Sequence, residues 1–452
     1  MKSFHLPLFG LVGLAQSHTL FTTLYINDES QGSGTCVRES TNLVHPTDPV
    51  VDLASTDMVC GVGGLAPVNF TCTAPAGAKL TFEYREIADT AGSGFIDESH
   101  KGPAAVYAKR ISDSGAIAES GEGPDWFKIW GEGYDADADL WATEKLIQDD
   151  GLLSVQIPSA LPAGNYLFRP EVVAMHNTTP EVQPQFYVGC AQVCVESSVT
   201  ASLDIPADMS VSIPGYLQPG DKSVTYNIYD EEEYADPKVP YPQMGPDVYA
   251  PAAVSSASKG SVVTQSSGGI PDKCLLVNAN WCGVEVSAYS NSTGCWASVQ
   301  ECWDQNQACW DEAPPSGGRN CKVWEGKCKA MDSSCSASDF SGPPDYELSS
   351  NDWPAPSSIP AAMNAGEEST AAASASTSGA VTATPAVEAV SATGTEAAGM
   401  AIEYPSAGSN SVSAVTSTAS LTGVASSSPE TATPTQHCGS RKHKRRHARQ
   451  VR

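Results

Sequence analysis

Two trios of evenly spaced cysteines constrain the fold of this 452-residue chain more than any other feature. Seven residues separate successive members of each trio, which is nearly two turns of an α-helix, so each trio lies along one helix face. The turn-forming stretch APPSGGRN stands between the trios. Antiparallel packing then predicts a disulfide-rich helical hairpin within residues 271–340. Its bridges would be Cys309–Cys321, Cys302–Cys328 and Cys295–Cys335, with a local Cys274–Cys282 bond beside them.

A tryptophan follows each cysteine of the first trio, at Trp296, Trp303 and Trp310. This spacing places the three indoles in a stripe along one helix. The stripe is either part of the hairpin core or a face that stacks on sugar rings. Because a unit this small needs all the apolar burial available to it, we favour core packing or docking against the main domain.

Residues 18–250 have the pattern of a mainly β domain. LTFEYR (80–85) alternates apolar and polar residues, as a half-buried strand does. YLFRPEVVAMH (166–176) and QFYVGCAQVCV (185–195) are rich in aromatic and β-branched residues, and turn-forming clusters separate them. Helical periodicity is scarce in this region. We predict an antiparallel β-sandwich with long loops.

The flanking segments differ in composition from the two folded units. Residues 251–270 are rich in Ser, Ala and Gly and are predicted to be a linker. Residues 341–437 are mostly Ser, Thr, Ala and Pro, which predicts a disordered, O-glycosylated stalk, and 438–452 form a basic tail. N-glycosylation triplets begin at Asn69, Asn177 and Asn291, as expected of a secreted protein.

The N-terminus has the features of a secretion signal over residues 1–17. Lys2 precedes an apolar run from Leu6 to Leu14, and Ala15-Gln16-Ser17 supplies small residues at the positions that signal peptidase reads. The 14 cysteines fit export to an oxidising compartment. No later run approaches the roughly 20 apolar residues of a bilayer span. We therefore expect a soluble extracellular protein.

The charge balance narrows the class of partner. The formal net charge is −27, although seven of the last twelve residues are Arg or Lys, so the body of the chain is strongly acidic. Such a body repels nucleic acid and anionic membranes and suits a neutral polymer. We expect a monomer with neither a nucleic-acid nor a membrane partner.

Cleavage after Ser17 would make His18 the first residue of the mature chain. Its amine and imidazole could then form a two-nitrogen metal clamp, although any residue may follow a cleavage site by chance. A second imidazole is available in the loop DESHKGP, at His100. Two imidazoles and an amine arranged in a T suit Cu(II), with a phenol as a weak axial neighbour.

Six motifs occur in an order that resembles the fungal copper-dependent lytic polysaccharide monooxygenases, auxiliary activity family 9, formerly glycoside hydrolase family 61. They are HTLFTTLYIN, GTCVR, DESHKGP, WFKIWGEGYD, LPAGNYLFRPEVVAMH and PQFYVGCAQ, all within residues 18–250. The resemblance implies an immunoglobulin-like β-sandwich that binds one copper ion, cycling between Cu(II) and Cu(I), on a flat face.

Carried over residue by residue, the resemblance assigns roles at this face. His18 would bind copper through its amine and ring, His100 through its ring, and Tyr187 as the axial phenol. His176 and Gln185 would complete the catalytic set with Tyr187 by holding bound oxygen or peroxide. The resemblance also implies a Cys60–Cys190 bridge, and Cys36–Cys72 is a reasonable second. Cys194 is left to pair with Cys438 or to remain free.

The implied function is oxidative cleavage of a β-1,4-glucan, cellulose or a related polymer, at C1 or C4, with O2 or H2O2 and an external electron donor. A secreted copper-binding or cell-wall protein using the same ligands without oxidising glucan is the alternative. A glycosidase with paired carboxylates is less favoured, since no pair stands out among the many acidic residues. A glycan on Asn177, next to His176, would crowd the copper face.

Overall fold

The computed structural model describes residues 18–111, 119–179, 182–229, 241–251 and 259–363. The predicted signal peptide, most of the predicted stalk and the basic tail therefore lie outside the described residues. Within the described part, no helix is both long enough and apolar enough to cross a membrane.

The described elements are mostly strands, with two long helices near the end. In chain order the strands are β1 (Leu20–Ile26), β2 (Glu29–Ser33), β3 (Val37–Arg38), β4 (Cys72–Pro75), β5 (Lys79–Arg85), β6 (Ala104–Arg110), β7 (Gly123–Glu132), β8 (Tyr134–Asp135), β9 (Leu140–Trp141), β10 (Leu152–Gln156), β11 (Gly164–Ala174), β12 (Gln185–Val188), β13 (Cys190–Val199), β14 (Val211–Ile213), β15 (Lys259–Val263), β16 (Leu276–Asn278) and β17 (Trp281–Gly283). The helices are α1 (Ala142–Gln148), α2 (Ser292–Asp311) and α3 (Arg319–Ser336).

Two sheets form the sandwich. One has the strand order β10-β5-β1-β2, and the other has the order β14-β7-β6-β11-β13-β15, with β12 on β11 and with β3 and β4 on β13. The pairings are antiparallel except that of β13 with β4. The main core includes Phe21, Phe82 and Phe168, contributed by strands of both sheets. The predicted mainly β sandwich is confirmed, and the three predicted strand segments fall on β5, β11 and β12–β13.

Two disulfides join parts of the sandwich. Cys36 is bonded to Cys72, and Cys60 is bonded to Cys190 at the start of β13. The second is the bridge that the family resemblance implied, and the first is the pair predicted to accompany it. Cys194 is buried in β13, and its possible partner Cys438 lies outside the described residues.

The C-terminal unit is a hairpin of α2 and α3 with a ladder of three disulfides, Cys309–Cys321, Cys302–Cys328 and Cys295–Cys335. Cys274–Cys282 links the small β16–β17 ribbon beside it. The pairs coincide with those that the seven-residue spacing predicts, because each trio faces the opposite helix.

The preference for a buried tryptophan stripe is wrong for two of its three members. Trp296 and Trp310 are 45% and 43% exposed, and only Trp303 packs partly against the hairpin core. The residue after each cysteine lies about 100° around the helix, which turns it away from the disulfide seam. The aromatic core is supplied instead by Trp324, fully buried 5.4 Å from the Trp281 ring.

The folded region also extends beyond the predicted unit boundaries. Part of the predicted linker forms β15, which pairs with β13, and Gln265 donates to the Thr71 carbonyl. Part of the predicted stalk, up to residue 363, lies along the folded units. The Arg319 guanidinium lies 3.9 Å from the centre of the Trp353 ring, and the Met363 amide donates to the Ser154 carbonyl. These backbone and side-chain contacts compensate for the low apolar content of the segment.

A buried carboxyl lies where the hairpin docks on the sandwich. Glu39 accepts hydrogen bonds from the backbone amide of Ser316 (2.9 Å) and from its hydroxyl (2.6 Å). Burial raises the pKa of Glu39 to about 7, and these hydrogen bonds only partly oppose the rise. A carboxyl whose folded pKa is raised binds a proton on folding. The stabilisation that comes from this proton uptake is therefore complete when the pH is below the pKa of Glu39 in the unfolded chain. It is lost as the pH rises through the pKa of Glu39 in the folded protein.

Glu39→Gln is expected to remove a pH dependence from the stability. Between about pH 4.5 and pH 8, the free energy of unfolding of the unchanged protein should fall relative to that of E39Q by about 3 kcal/mol. Urea unfolding of both proteins across this range, with disulfides intact, measures the difference. Curves that stay parallel with pH would show that Glu39 does not titrate in this way.

Candidate metal centre

His18 stands just before β1, at the end of the four-stranded sheet. Its side chain is 33% exposed, and its Nδ1 lies 3.4 Å from a carboxylate oxygen of Asp48. Asp48 belongs to the loop between β3 and β4. The imidazole is therefore accessible, and its orientation is restrained from one side.

His100 is held in a tight turn between β5 and β6. Its backbone amide donates to the Asp97 carbonyl (2.9 Å), and the side chain of Asp97 accepts from the Ser99 amide (2.9 Å). The Ser99 hydroxyl lies 3.2 Å from Nδ1 of His100, and His100 as a whole is only 4% exposed. With Nδ1 paired to serine, Nε2 is the nitrogen that would face a metal ion.

The glycine of the SHKGP motif brings this turn against β11. A Cβ at Gly102 would overlap the Val173 carbonyl oxygen, so no larger residue allows this approach. The Gly102 amide donates to the Thr143 hydroxyl (3.0 Å), and the Met175 amide donates to the Lys101 carbonyl (2.8 Å). His100 is therefore fixed beside His176, which directly follows Met175.

Tyr187 and Gln185 reach the same place from β12. This strand pairs with the end of β11, and residues two apart on a strand share a face. The Tyr187 hydroxyl donates to Oε1 of Gln185 (2.9 Å), and the ring is almost fully buried.

The rings of His18, His100 and Tyr187 form a nearly equilateral triangle. The centroid distances are 6.3 Å between the two histidines, 6.0 Å from Tyr187 to His18 and 6.4 Å from Tyr187 to His100. Two imidazoles on opposite sides of one ion, each with a metal–nitrogen distance of about 2 Å, have ring centres about 6 Å apart. The donor set therefore fits one transition-metal ion.

Within the described ranges, no three His, Cys, Asp or Glu side chains are arranged to hold a metal ion. The triangle supplies only two such side chains. A complete site here thus needs a further donor, and the main-chain amine that cleavage before His18 would create is of the right kind.

His176 lies against the same group and has an unsatisfied nitrogen. Its ring centroid is 4.0 Å from that of His100. The Asn177 side-chain amide donates to Nε2 (2.8 Å), which places the proton of the neutral ring on Nδ1. That Nδ1 is buried and has no hydrogen-bond partner among the described residues. A buried donor without a partner is costly, so it marks a position where a small polar ligand would be stabilised.

Burial determines the protonation states of these rings. It lowers the pKa of His100 to about 4, with a further contribution from nearby His176, and it lowers the pKa of His176 below the usual value. Both imidazoles are neutral at neutral pH, which is the form that binds metals. Burial, with a smaller effect of Asp48, raises the pKa of Tyr187 far above its ordinary value. The phenol therefore keeps its proton and can be only a weak ligand.

The motifs predicted the five ring and amide residues that lie together here, but they did not single out Asp48, which carries no motif. The sequence singled out Asn177 only as a glycosylation triplet. The structure adds that the Asn177 amide nitrogen, the atom to which a glycan would attach, is the one that contacts His176. The other two triplets lie elsewhere: Asn69 donates to the Asn280 carbonyl (3.2 Å), and Asn291 caps α2.

Comparison with known proteins identifies the family. Residues 18–237 match Auxiliary Activity family 9 (formerly GH61). The AA9 family lytic polysaccharide monooxygenase H of Botryotinia fuckeliana is 44% identical over 341 residues, which are 73% of this chain and 76% of that protein. The chain belongs to auxiliary activity family 9. It is therefore a lytic polysaccharide monooxygenase, an oxidoreductase, as the motifs predicted.

Other family 9 proteins extend the comparison. The AA9 family lytic polysaccharide monooxygenase C of Aspergillus tamarii is 43% identical over 340 residues, covering 74% of this chain and 89% of that protein. Both alignments are longer than the sandwich, so they continue into the disulfide-rich segment. A solved structure titled CvAA9A is 33% identical, with a TM-score of 0.45, and covers 51% of this chain and 98% of that one. Membership of family 9 implies copper, a polysaccharide substrate and an oxygen co-substrate.

Proposed function

We propose that the mature protein is a secreted monomer that begins at His18 and oxidatively cleaves β-1,4-glucan, such as cellulose, at C1 or C4. The amine and ring of His18 and the ring of His100 would hold one copper ion, with the Tyr187 phenol as a weak neighbour. The observation that carries the proposal is the convergence of three rings, from the segment just before β1, the β5–β6 loop and β12, with spacings suited to a single ion.

Copper, when bound, supplies the one-electron chemistry that activates O2 or H2O2. The overall reaction balances as C–H plus H2O2 giving C–OH plus H2O, or as C–H plus O2, two electrons and two protons giving the same products. Hydroxylated C1 or C4 then expels the glycosidic oxygen. The products are a lactone, which hydrolyses to an aldonic acid, or a 4-ketone. An external donor supplies the electrons.

The surrounding residues would hold the oxygen co-substrate. His176 offers its unsatisfied Nδ1–H, and the Tyr187 hydroxyl orients the Gln185 amide by donating to its oxygen. The Gln185 nitrogen then becomes a second donor. Both groups are neutral, so they can stabilise a small electron-rich ligand without adding charge. Asp48 would restrain the His18 ring.

The proposal is tested by incubating the copper-loaded mature protein with ascorbate and a panel of glucans, and identifying the products by mass spectrometry. Aldonic acid or 4-ketone ends should form from a β-1,4-glucan only when both the reductant and O2 or H2O2 are present. Chelation should stop their formation, and added copper should restore it. Tight copper binding without oxidised ends would favour the alternative of a copper-binding protein. Cleavage that needs no reductant would indicate a hydrolase.

A further inference from the structure

The exposed face of α2 carries a regular row of tryptophans and glutamines. Trp296, Trp303 and Trp310 alternate along it with Gln300 and Gln307. Successive members are three or four residues apart, so all five side chains fall within about 80° of the helix circumference. This row faces outward because the cysteines, which face α3, lie about 100° away around the helix.

The indoles are held in place although they are exposed. The Trp310 ring lies on the backbone of Gly318, where an added Cβ would be 2.5 Å from the ring carbon Cζ3, and Trp303 packs partly on the hairpin core. Trp296 and Trp310 still expose almost half of their surface. Burying large aromatic rings is strongly favourable, so a row of exposed indoles is unusual for a surface without a ligand. Here the row lies on a helix that three disulfides hold in place.

The glutamines place polar groups between the rings. The Gln300 side chain donates to Asp304 (2.8 Å), and the Gln307 side chain donates to Asp311 (2.7 Å). Each pair presents amide and carboxylate oxygens next to an indole. A sugar chain requires aromatic rings that cover the faces of its pyranose rings. It also requires polar groups beside them that hydrogen-bond to its hydroxyls.

The spacing of the tryptophans and the charge of the helix indicate which kind of polysaccharide would bind. Successive tryptophans are about 10.5 Å apart along the helix axis, which is close to the length of the repeating disaccharide in an extended β-1,4-glucan. The helix carries Glu301, Asp304 and Asp311 and no basic residue. A polyanion would be repelled from this face, whereas a neutral polymer would not.

We propose that this row, Trp296 to Trp310, is a second glucan-binding surface, separate from the candidate metal centre. It anchors one chain of an insoluble β-1,4-glucan by stacking at every second sugar. The choice of glucan rests on the proposed function. Trp310, at one end of the row, lies at the tip of the hairpin. A Cβ at nearby Gly317 would be 3.4 Å from the Asp89 side chain. Asp89 belongs to the loop that leads to His100, so the Trp310 end of the row lies beside the sandwich.

The test is adsorption of the full secreted chain, freed of N-glycans, to cellulose without reductant. Four proteins are compared: the unchanged protein, the double variant Trp296→Ala/Trp310→Ala, the conservative variant Trp296→Phe/Trp310→Phe, and the control Tyr346→Ala. Tyr346 is an exposed aromatic that packs on α3, outside the row. We expect the double variant to adsorb at least about tenfold more weakly, and the control to adsorb normally. Trp296→Phe/Trp310→Phe should recover part of the binding, because it keeps aromatic faces.

Copper affinity and reductant-driven peroxide formation without substrate should be unchanged in the double variant. Equal adsorption of the double variant and the unchanged protein would overturn the proposal. So would a comparable loss in Tyr346→Ala, or an unchanged protein that does not adsorb. Adsorption is measured without turnover, so failure of the proposed oxidation would leave this result interpretable.

Discussion

Replacing His100 with alanine is expected to raise the copper dissociation constant of the mature protein by more than about 100-fold. Removing a residue that hydrogen-bonds to a metal ligand already lowers the affinity for the metal about 10 to 100-fold. His100 would itself be a ligand, so its loss should cost more. The remaining His18 clamp has only two nitrogens and no rigid partner opposite it. Competition with a chelator of known affinity measures the change in the dissociation constant. The nitrogen hyperfine pattern of the type 2 copper EPR spectrum should also change, because one nitrogen ligand is lost.

His45→Ala is the matched control, since His45 is an exposed histidine in the chain before Asp48. This variant should bind copper as the unchanged protein does. Thermal unfolding of both metal-free variants checks that the sandwich is intact. An unchanged dissociation constant and EPR spectrum in His100→Ala would remove His100 from the ligand set.

Placing one extra alanine ahead of His18 is expected to have an effect of similar size. The extension converts the amine of His18 into a peptide amide, whose nitrogen does not bind Cu(I), because Cu(I) does not displace the amide proton. Both side chains of the triangle remain, so any loss measures the contribution of the main-chain nitrogen alone. The affinity for Cu(I) should fall more than about 100-fold, and oxidised glucan ends should disappear.

The control for this experiment is the same preparation after an aminopeptidase has removed the added alanine. Cu(I) affinity and product formation should return together. Full Cu(I) affinity in the extended protein would mean that the amine is not a ligand, even if the two rings are.

The hairpin was predictable from the sequence because covalent bonds restrict the alternatives. Once Cys295 and Cys309 lie on one helix face, only antiparallel pairing with the second trio joins all six cysteines across a short turn. The exposure of Trp296 was not predictable in this way. It depends on which aromatic residue fills the core, and Trp324, which stands alone in α3, takes that place.

The candidate site, too, was only partly predictable from the sequence. His18 and His100 were identified through motifs, but nothing in their spacing requires their rings to lie 6.3 Å apart. That distance arises from tertiary contacts, above all the close approach of Gly102 to the carbonyl of Val173. Asp48 was missed since its role depends on a loop from elsewhere in the chain lying over His18.

Unit boundaries were the least predictable feature. Composition suggested a stalk from residue 341, yet Asp352 accepts a hydrogen bond from the Ser33 amide (2.8 Å), and Lys79 donates to the Pro360 carbonyl (3.0 Å). Such contacts depend on single polar groups and on the backbone, so average hydropathy does not register them. A segment poor in apolar residues can be ordered when a folded surface supplies its hydrogen bonds.

Mass spectrometry of the N-terminal peptide of the naturally secreted protein is the most direct measurement of the proposed copper clamp. We predict that the chain begins with His18, because only that cleavage produces an amine on the same residue as the exposed imidazole. A mature chain that begins at any other residue, or that retains even Ser17 ahead of the histidine, would contradict the clamp and the oxidative function built on it.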